Sequence, residues 1–284
     1  MTICQITEEI RRQLAGQYPA TEIESFIRIL FGYYLNMNPL QIYLSHGHEL
    51  PAGVEPQIRA ATGDLKKFRP IQYIIGETEF CGLKFEVTPD VLIPRPETEE
   101  LTDWILHEYD KSAALSIVDV CTGSGCIAVA LAAGFRNAGV WAVDISEAAL
   151  AVARRNALKN RVKVEFLQRD VLQDDLTDFE PASLDMIVSN PPYVTLPEKR
   201  QIQPNVLEYE PYQALFAPGH DPFIFYKRIA AFGMKCLKPH GKVFFELNEA
   251  FPEEVAQVLQ QNGYSDIVTR KDINGKWRMI FAKK

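Results

Sequence analysis

The apolar positions of the first seventy residues recur at helical intervals. Ile3, Ile6, Ile10 and Leu14 stand three or four apart, as on one face of a helix. Thr21-Glu22-Ile23-Glu24 has the spacing of a capping box, and Phe26, Ile27, Leu30 and Tyr34 follow on one face. Pro39 suits the first residue of a third helix. Pro56 to Phe68, with Ile58, Leu65 and Phe68 on its stripe, suits a fourth. The expected result is a small helical bundle over residues 1–70.

The pattern changes at Pro70. Gln72-Tyr73-Ile74-Ile75-Gly76 reads as a strand, and Leu83 to Thr88 alternates with period two as another. Gly82 lies between them, so residues 71–90 are expected to form a β-hairpin linking the bundle to a larger domain over 91–284. Pro89, Pro94 and Pro96 forbid regular structure until a helix opens near Glu97. Arg95, Glu97 and Thr98 either face a ligand or cap that helix.

From Ile117 onward, strands and helices alternate. Strands are expected at Ile117–Cys121, Val140–Asp144, Val162–Asp170, Leu184–Ser189 and Gly241–Leu247. Helices fall after Gly125 and over Glu147–Lys159, Phe223–Leu237 and Phe251–Gln261. Asn274-Gly275 then joins Tyr264–Arg270 to Lys276–Ala282 as a terminal hairpin. The fold class is α/β: a doubly wound sheet closed by an antiparallel pair, preceded by the helical bundle.

Composition narrows the partners. The chain has 284 residues, 47% hydrophobic and 24% charged, within the usual range for globular proteins. A net charge of −7 argues against a dominant phosphate-backbone partner, so no direct nucleic-acid binding is expected. No apolar run is long enough to span a bilayer, and Met1-Thr2-Ile3-Cys4-Gln5 does not read as a signal peptide. The five cysteines are scattered without a C-x-x-C pair, which points to reduced thiols and a cytoplasmic location. His46 and His48 stand close together without further ligands, so no metal site is expected.

The most specific chemistry lies after the strand Leu184–Ser189. In Asn190-Pro191-Pro192-Tyr193, two prolines without N–H groups end the strand and leave Asn190 at its carboxyl end. In an open α/β sheet that is the ligand-binding edge. Asn190 offers an amide oxygen, and the carbonyl of Pro191 has no regular partner. Two acceptors suit an NH2 group, and Tyr193 offers a flat face for a planar one. Asn190, Pro191, Pro192 and Tyr193 are therefore candidate substrate-binding residues, with Asn190, Pro191 and Tyr193 catalytic.

Thr122-Gly123-Ser124-Gly125 follows the first parallel strand, and the acidic Asp144 ends the second about twenty residues on. Glycines let the backbone approach a nucleotide, and a carboxylate takes both ribose hydroxyls. The third glycine expected for a dinucleotide is missing, and the sheet ends in an antiparallel hairpin. Both features favour S-adenosylmethionine. Asp170 would then accept from the adenine amino group, and Asp119 would sit beneath the methionine end.

Several stretches together carry a family resemblance. They are Arg69–Gly76, Pro94-Arg95-Pro96-Glu97-Thr98-Glu99, Asp119–Gly125, Val143–Ser146, Ser189–Tyr193, Tyr209-Glu210-Pro211 and Gly241–Glu246. In these the chain resembles the HemK family of protein-(glutamine-N5) methyltransferases, which modify class I peptide release factors. The resemblance implies a Rossmann-like methyltransferase domain and a helical domain that helps to grip the release factor. It implies that S-adenosylmethionine is held by Asp119, Val120, Cys121, Thr122, Gly123, Asp144, Val171 and Asn190; Gly125, Ile145 and Asp170 join them as candidate cofactor-binding residues. It leaves open the roles of Arg95, Glu210 and Glu246. One departure bears on the cofactor: the family usually has glycine where this chain has Cys121, whose Cβ restricts the backbone. Two other readings remain open at this stage. The Asn-Pro-Pro-Tyr tetrad also serves nucleic-acid amino-methyltransferases, and a spoiled cofactor site would leave a non-enzymatic adaptor.

Overall fold

The computed structural model describes residues 1–219 and 221–284, without the side chain of Gln201. Two compact units emerge, one of Met1–Gly76 with Gln203–Tyr209, the other of Glu77–Ile202 with Glu210–Lys284.

The first unit is helical: α1 (Ile3–Leu14), α2 (Ala20–Leu35), α3 (Pro39–Leu44), α4 (Val54–Leu65), α5 (Ile71–Ile75) and, from the later segment, α9 (Pro204–Tyr209). The stripe Ile3, Ile6, Ile10 and Leu14 is buried against Phe26, Ile27, Leu30 and Phe31 of α2 and Ile58 and Leu65 of α4. Two details depart from the sequence pattern. The capping box lies not at Thr21 but at Thr2, whose side chain accepts from Gln5 N. Helix α2 already begins after Pro19, and Glu24 turns instead to Arg11 on α1, at 2.6 Å. The run Gln72–Gly76 is the helix α5 and not a strand. Its β-branched residues favour a strand locally, but Pro70 opens a turn and Gly76 closes it at φ 75°.

In the second unit the hairpin therefore starts later, as β1 (Glu77–Phe80) and β2 (Leu83–Glu86). Both of its strands belong to this unit, which begins at Glu77. Then follow α6 (Pro96–Glu108), β3 (Ser116–Val120), α7 (Cys126–Gly134), β4 (Gly139–Asp144), α8 (Glu147–Lys159), β5 (Glu165–Gln168) and β6 (Leu184–Ser189). The remaining elements are a 3-10 turn (Leu196–Gln201), α10 (Tyr212–Leu215), α11 (Ile224–Cys236), β7 (Leu237–Glu246), α12 (Pro252–Gln261), β8 (Ser265–Lys271) and β9 (Trp277–Lys283).

The main sheet runs β5-β4-β3-β6-β7-β9-β8. β3 pairs in parallel with both β4 and β6, while β9 is antiparallel to β7 and β8. Both faces are buried, and successive side chains alternate between them as the pleat requires. Val118, Ile187, Val243 and Phe245 pack with α11 and α12. Ile117, Met186, Val188 and Phe244 pack with α6 and α7. Order reverses between β3 and β6, which opens a crevice at the carboxyl ends of the strands.

Several side chains of α8 hold the hairpin, among them Arg155 on Glu86 and Asn160 on Lys84 O, and one of them reaches the turn after β3 as well. Asn156 of α8, fully buried, accepts from Glu86 N at 2.6 Å and donates to Glu86 O and Ser124 O at 3.0 and 2.9 Å.

Candidate active site

A cavity of about 610 Å³ lies at that crevice. The turn after β3 forms one wall. Cys121, Gly123 and Gly125 adopt φ of 62°, 55° and 78°. Thr122 N donates to Val143 O and Gly125 N to Thr122 O, which folds the turn back over the sheet edge. Val120, Cys121, Thr122 and Gly123 all line the cavity.

Asp144, at the end of β4, lies across from this turn and also lines the cavity. Its Oδ2 accepts from Gly123 N at 2.8 Å and its Oδ1 from Ser146 N at 2.9 Å. Burial raises its pKa above the ordinary carboxylate value against these two bonds. Ile145, Asp170 and Val171 complete this side. Asp170 Oδ1 already accepts from Leu172 N at 2.9 Å, so it serves as a turn cap as well.

Asn190 and Pro192 face the same cavity from the end of β6. The hydroxyl of Ser189 donates to Val120 O at 2.6 Å and locks the ends of β6 and β3 together. Asn190 Nδ2 donates to Thr98 Oγ1 at 3.1 Å. Thr98 Oγ1 donates to Glu246 Oε2 at 2.5 Å, and Tyr193 Oη donates to Glu246 Oε1 at 2.9 Å. Glu246 is only 1% exposed, and burial raises its pKa despite these donors and the nearby Arg278.

Four of the residues expected at the site do not line the cavity. Asp119 is wholly buried beneath the turn, where its Oδ2 accepts from Thr122 Oγ1 at 2.5 Å and Ala128 N at 3.2 Å. Its Oδ1 has no hydrogen-bond partner among the described residues, and burial pushes the carboxyl up to about 7. Gly125 serves packing: a Cβ there would come within 2.9 Å of Ala153 Cβ on α8. Pro191 is buried in the turn. Tyr193 directs its hydroxyl to Glu246, and burial holds its pKa well above the ordinary tyrosine value.

The sequence reading left the roles of Thr98, Arg95 and Glu246 open and did not point to segment 211–219. Thr98 and Glu246 form the support under Asn190. Arg95 lines the cavity and pairs at 2.5 Å with Glu210, which also accepts from Ile93 N. Segment 211–219 covers one side, with Tyr212 and Phe216 stacked at 4.4 Å. An acid ending the apolar run Val243-Phe244-Phe245 was the one available signal for Glu246.

The chain aligns along 99% of its length with the release factor glutamine methyltransferase of Bacteroides thetaiotaomicron, at 42% identity and over 99% of that protein. The chain belongs to the release factor glutamine methyltransferase family. The namesake from Flavobacterium psychrophilum is 40% identical, over 99% of this chain and 98% of that one. Family models agree: the PrmC N-terminal domain matches residues 5–76 and the Methyltransferase small domain matches 97–209. Among solved structures, the Thermus thermophilus 16S rRNA N2 G1207 methyltransferase, in complex with AdoMet and guanosine, superposes with a TM-score of 0.52. It is 21% identical, with 73% of this chain and 49% of that one covered, and it attests the fold alone. Fold and family together make the second unit an α/β methyltransferase. No helix among the described residues is long and apolar enough to cross a membrane.

Proposed function

We propose that this protein transfers a methyl group from S-adenosylmethionine to the side-chain amide nitrogen of the glutamine in the Gly-Gly-Gln motif of class I peptide release factors. The observation that carries this reading is the orientation of Asn190. Its Nδ2 gives one hydrogen to Thr98, an orientation that leaves Oδ1 to accept from a substrate at the cavity.

The cavity suits the cofactor. Its volume lies within the usual 300–1,000 Å³ of small-molecule sites. Asp144 is a carboxylate in reach of a ribose diol, between a backbone turn open to close approach and the apolar Ile145 and Val171. When bound, S-adenosylmethionine supplies an electrophilic methyl group on a sulfonium.

The chain's own task is to prepare the nucleophile. An amide nitrogen is poor in that role because its lone pair is delocalised into the carbonyl. We assign Asn190 Oδ1, which faces the cavity, as acceptor of one of its N–H groups. Accepting it enriches the nitrogen and fixes its orientation. Orientation alone is worth roughly 7–11 kcal/mol in well-aligned cases. No general base is assigned: the proton can pass to water after the transfer.

The test is transfer of labelled methyl to a purified class I release factor, with a Gln→Ala change in its Gly-Gly-Gln motif as control. Label on the intact factor alone supports the reading. Label on neither, with cofactor binding intact, rejects the substrate and turns the search to another protein or to nucleic acid. Absence of cofactor binding favours the adaptor reading. Asn190→Ala should abolish turnover while part of the cofactor affinity survives.

A further inference from the structure

Resting on that reading of the site, we infer that Glu246 is a positioning residue whose carboxylate, through Thr98, dictates which end of the Asn190 amide faces the substrate. The argument is one of counting hydrogens. With Glu246 ionised its carboxylate only accepts, and a threonine hydroxyl has one hydrogen to give. Glu246 Oε2 takes that hydrogen from Thr98 at 2.5 Å. Toward Asn190, Thr98 Oγ1 can then only accept, which requires the amide to present Nδ2, as it does at 3.1 Å. Asn190 Oδ1 is left for the cavity. The second oxygen of Glu246 is held in turn by Tyr193 Oη at 2.9 Å. One buried carboxylate thus aligns two members of the Asn-Pro-Pro-Tyr tetrad without touching the substrate.

Topology makes the arrangement rigid. β7 pairs with β6 through Ser189 opposite Phe245, so Glu246 follows at the same level as Asn190. Thr98 lies in the first turn of α6, and its own carbonyl is occupied by the Thr102 hydroxyl at 2.9 Å.

Removing the carboxylate frees the Thr98 hydrogen to point at Asn190. The amide would then turn and offer NH2 to a substrate NH2, donor against donor. Three variants read this out: Glu246→Leu, which removes the acceptor; Thr98→Val, which keeps shape but loses the hydroxyl; and Thr98→Ser, which keeps the hydroxyl. Glu246→Leu and Thr98→Val should lower kcat roughly 10- to 100-fold, the scale of a misplaced reacting group. The cofactor Kd should stay within about twofold, and Thr98→Ser should restore most of the rate. Equal kcat in Thr98→Val and wild type would overturn the inference, as would a matching loss of rate in Thr98→Ser.

A second measurement needs no substrate. In protein carrying 15N-labelled asparagine, the Asn190 side-chain hydrogens should show a nuclear Overhauser contact to the Thr98 methyl. That contact should weaken in Glu246→Leu as the amide turns. Its persistence there at full strength would overturn the inference. A wild-type enzyme inactive on release factors but showing these contacts would sink the proposed substrate and leave the positioning role standing.

Discussion

Asp144 Oδ2 accepts the Gly123 N–H at 2.8 Å, so the carboxylate that ends β4 also braces the turn after β3. A single acid therefore shapes the loop and offers its remaining lone pairs to a ligand. Asp144→Ala removes both contributions. Hydrogen bonds to a charged group are worth about 1.5–3 kcal/mol, which is roughly a 10- to 150-fold weaker Kd for S-adenosylmethionine. Isothermal titration should show that loss, with Asp144→Asn in between. An unchanged Kd in Asp144→Ala would reduce the residue to a strand cap.

Cys121 holds φ at 62°, in the left-handed region, and the residue lines the cavity. That conformation costs an L-residue about 1–2 kcal/mol, whereas glycine loses about 0.4–1 kcal/mol through the unfolded chain. Cys121→Gly should thus stabilise the fold by up to about 1.6 kcal/mol and raise the urea midpoint accordingly, with the m-value unchanged. It should also tighten cofactor binding by removing a side chain from the wall. Weaker binding in this variant would mean that the thiol is a ligand contact.

Gly125 combines φ of 78° with a Cβ position only 2.9 Å from Ala153 Cβ. Gly125→Ala should cost about 2–4 kcal/mol from backbone conformation and overpacking between α7 and α8 together. Chemical denaturation measures this directly. A loss below about 1 kcal/mol would show that α8 yields without strain.

Asp119 gives a pH signature. Burial raises its folded pKa to about 7, above its unfolded value, so the folded state keeps a proton that the unfolded state releases. This group's contribution is fully present at low pH. It declines as pH rises from the ordinary carboxylate range to about 7, and is flat beyond. Asp119→Asn should remove that slope from the ligand-free protein, measured as unfolding free energy at several pH values. Parallel pH profiles for the two proteins would refute the assignment.

The central strands β3, β4, β6 and β7 were legible because each carries an apolar run bounded by turn residues, and the edge strands β5 and β8 are more polar. Asn190, Asp144 and the glycine-rich turn were legible because their chemistry sits within a few residues of a strand end. Gln72–Gly76 was misread because five residues rich in β-branched side chains look like a strand until both capping turns are seen. The support under Asn190 was hidden for another reason. Thr98 and Glu246 meet across 148 residues of chain, and only the placement of β7 beside β6 and of α6 over their ends brings them together. Gly125 and Asp119 were legible as members of a motif. That they act by packing and by burial beneath the turn depends on α7 and α8, which local sequence does not locate.

Asn156 acts on the Glu86 backbone as a neighbouring strand would, offering one acceptor and one donor, and spends its other hydrogen on Ser124. The ribbon at Glu86 and the turn after β3 thereby share a fastening. Loosening of that end of the ribbon should be felt in the turn. The exchange rate of the Glu86 amide hydrogen is then a gauge of pocket order that can be read with no ligand present.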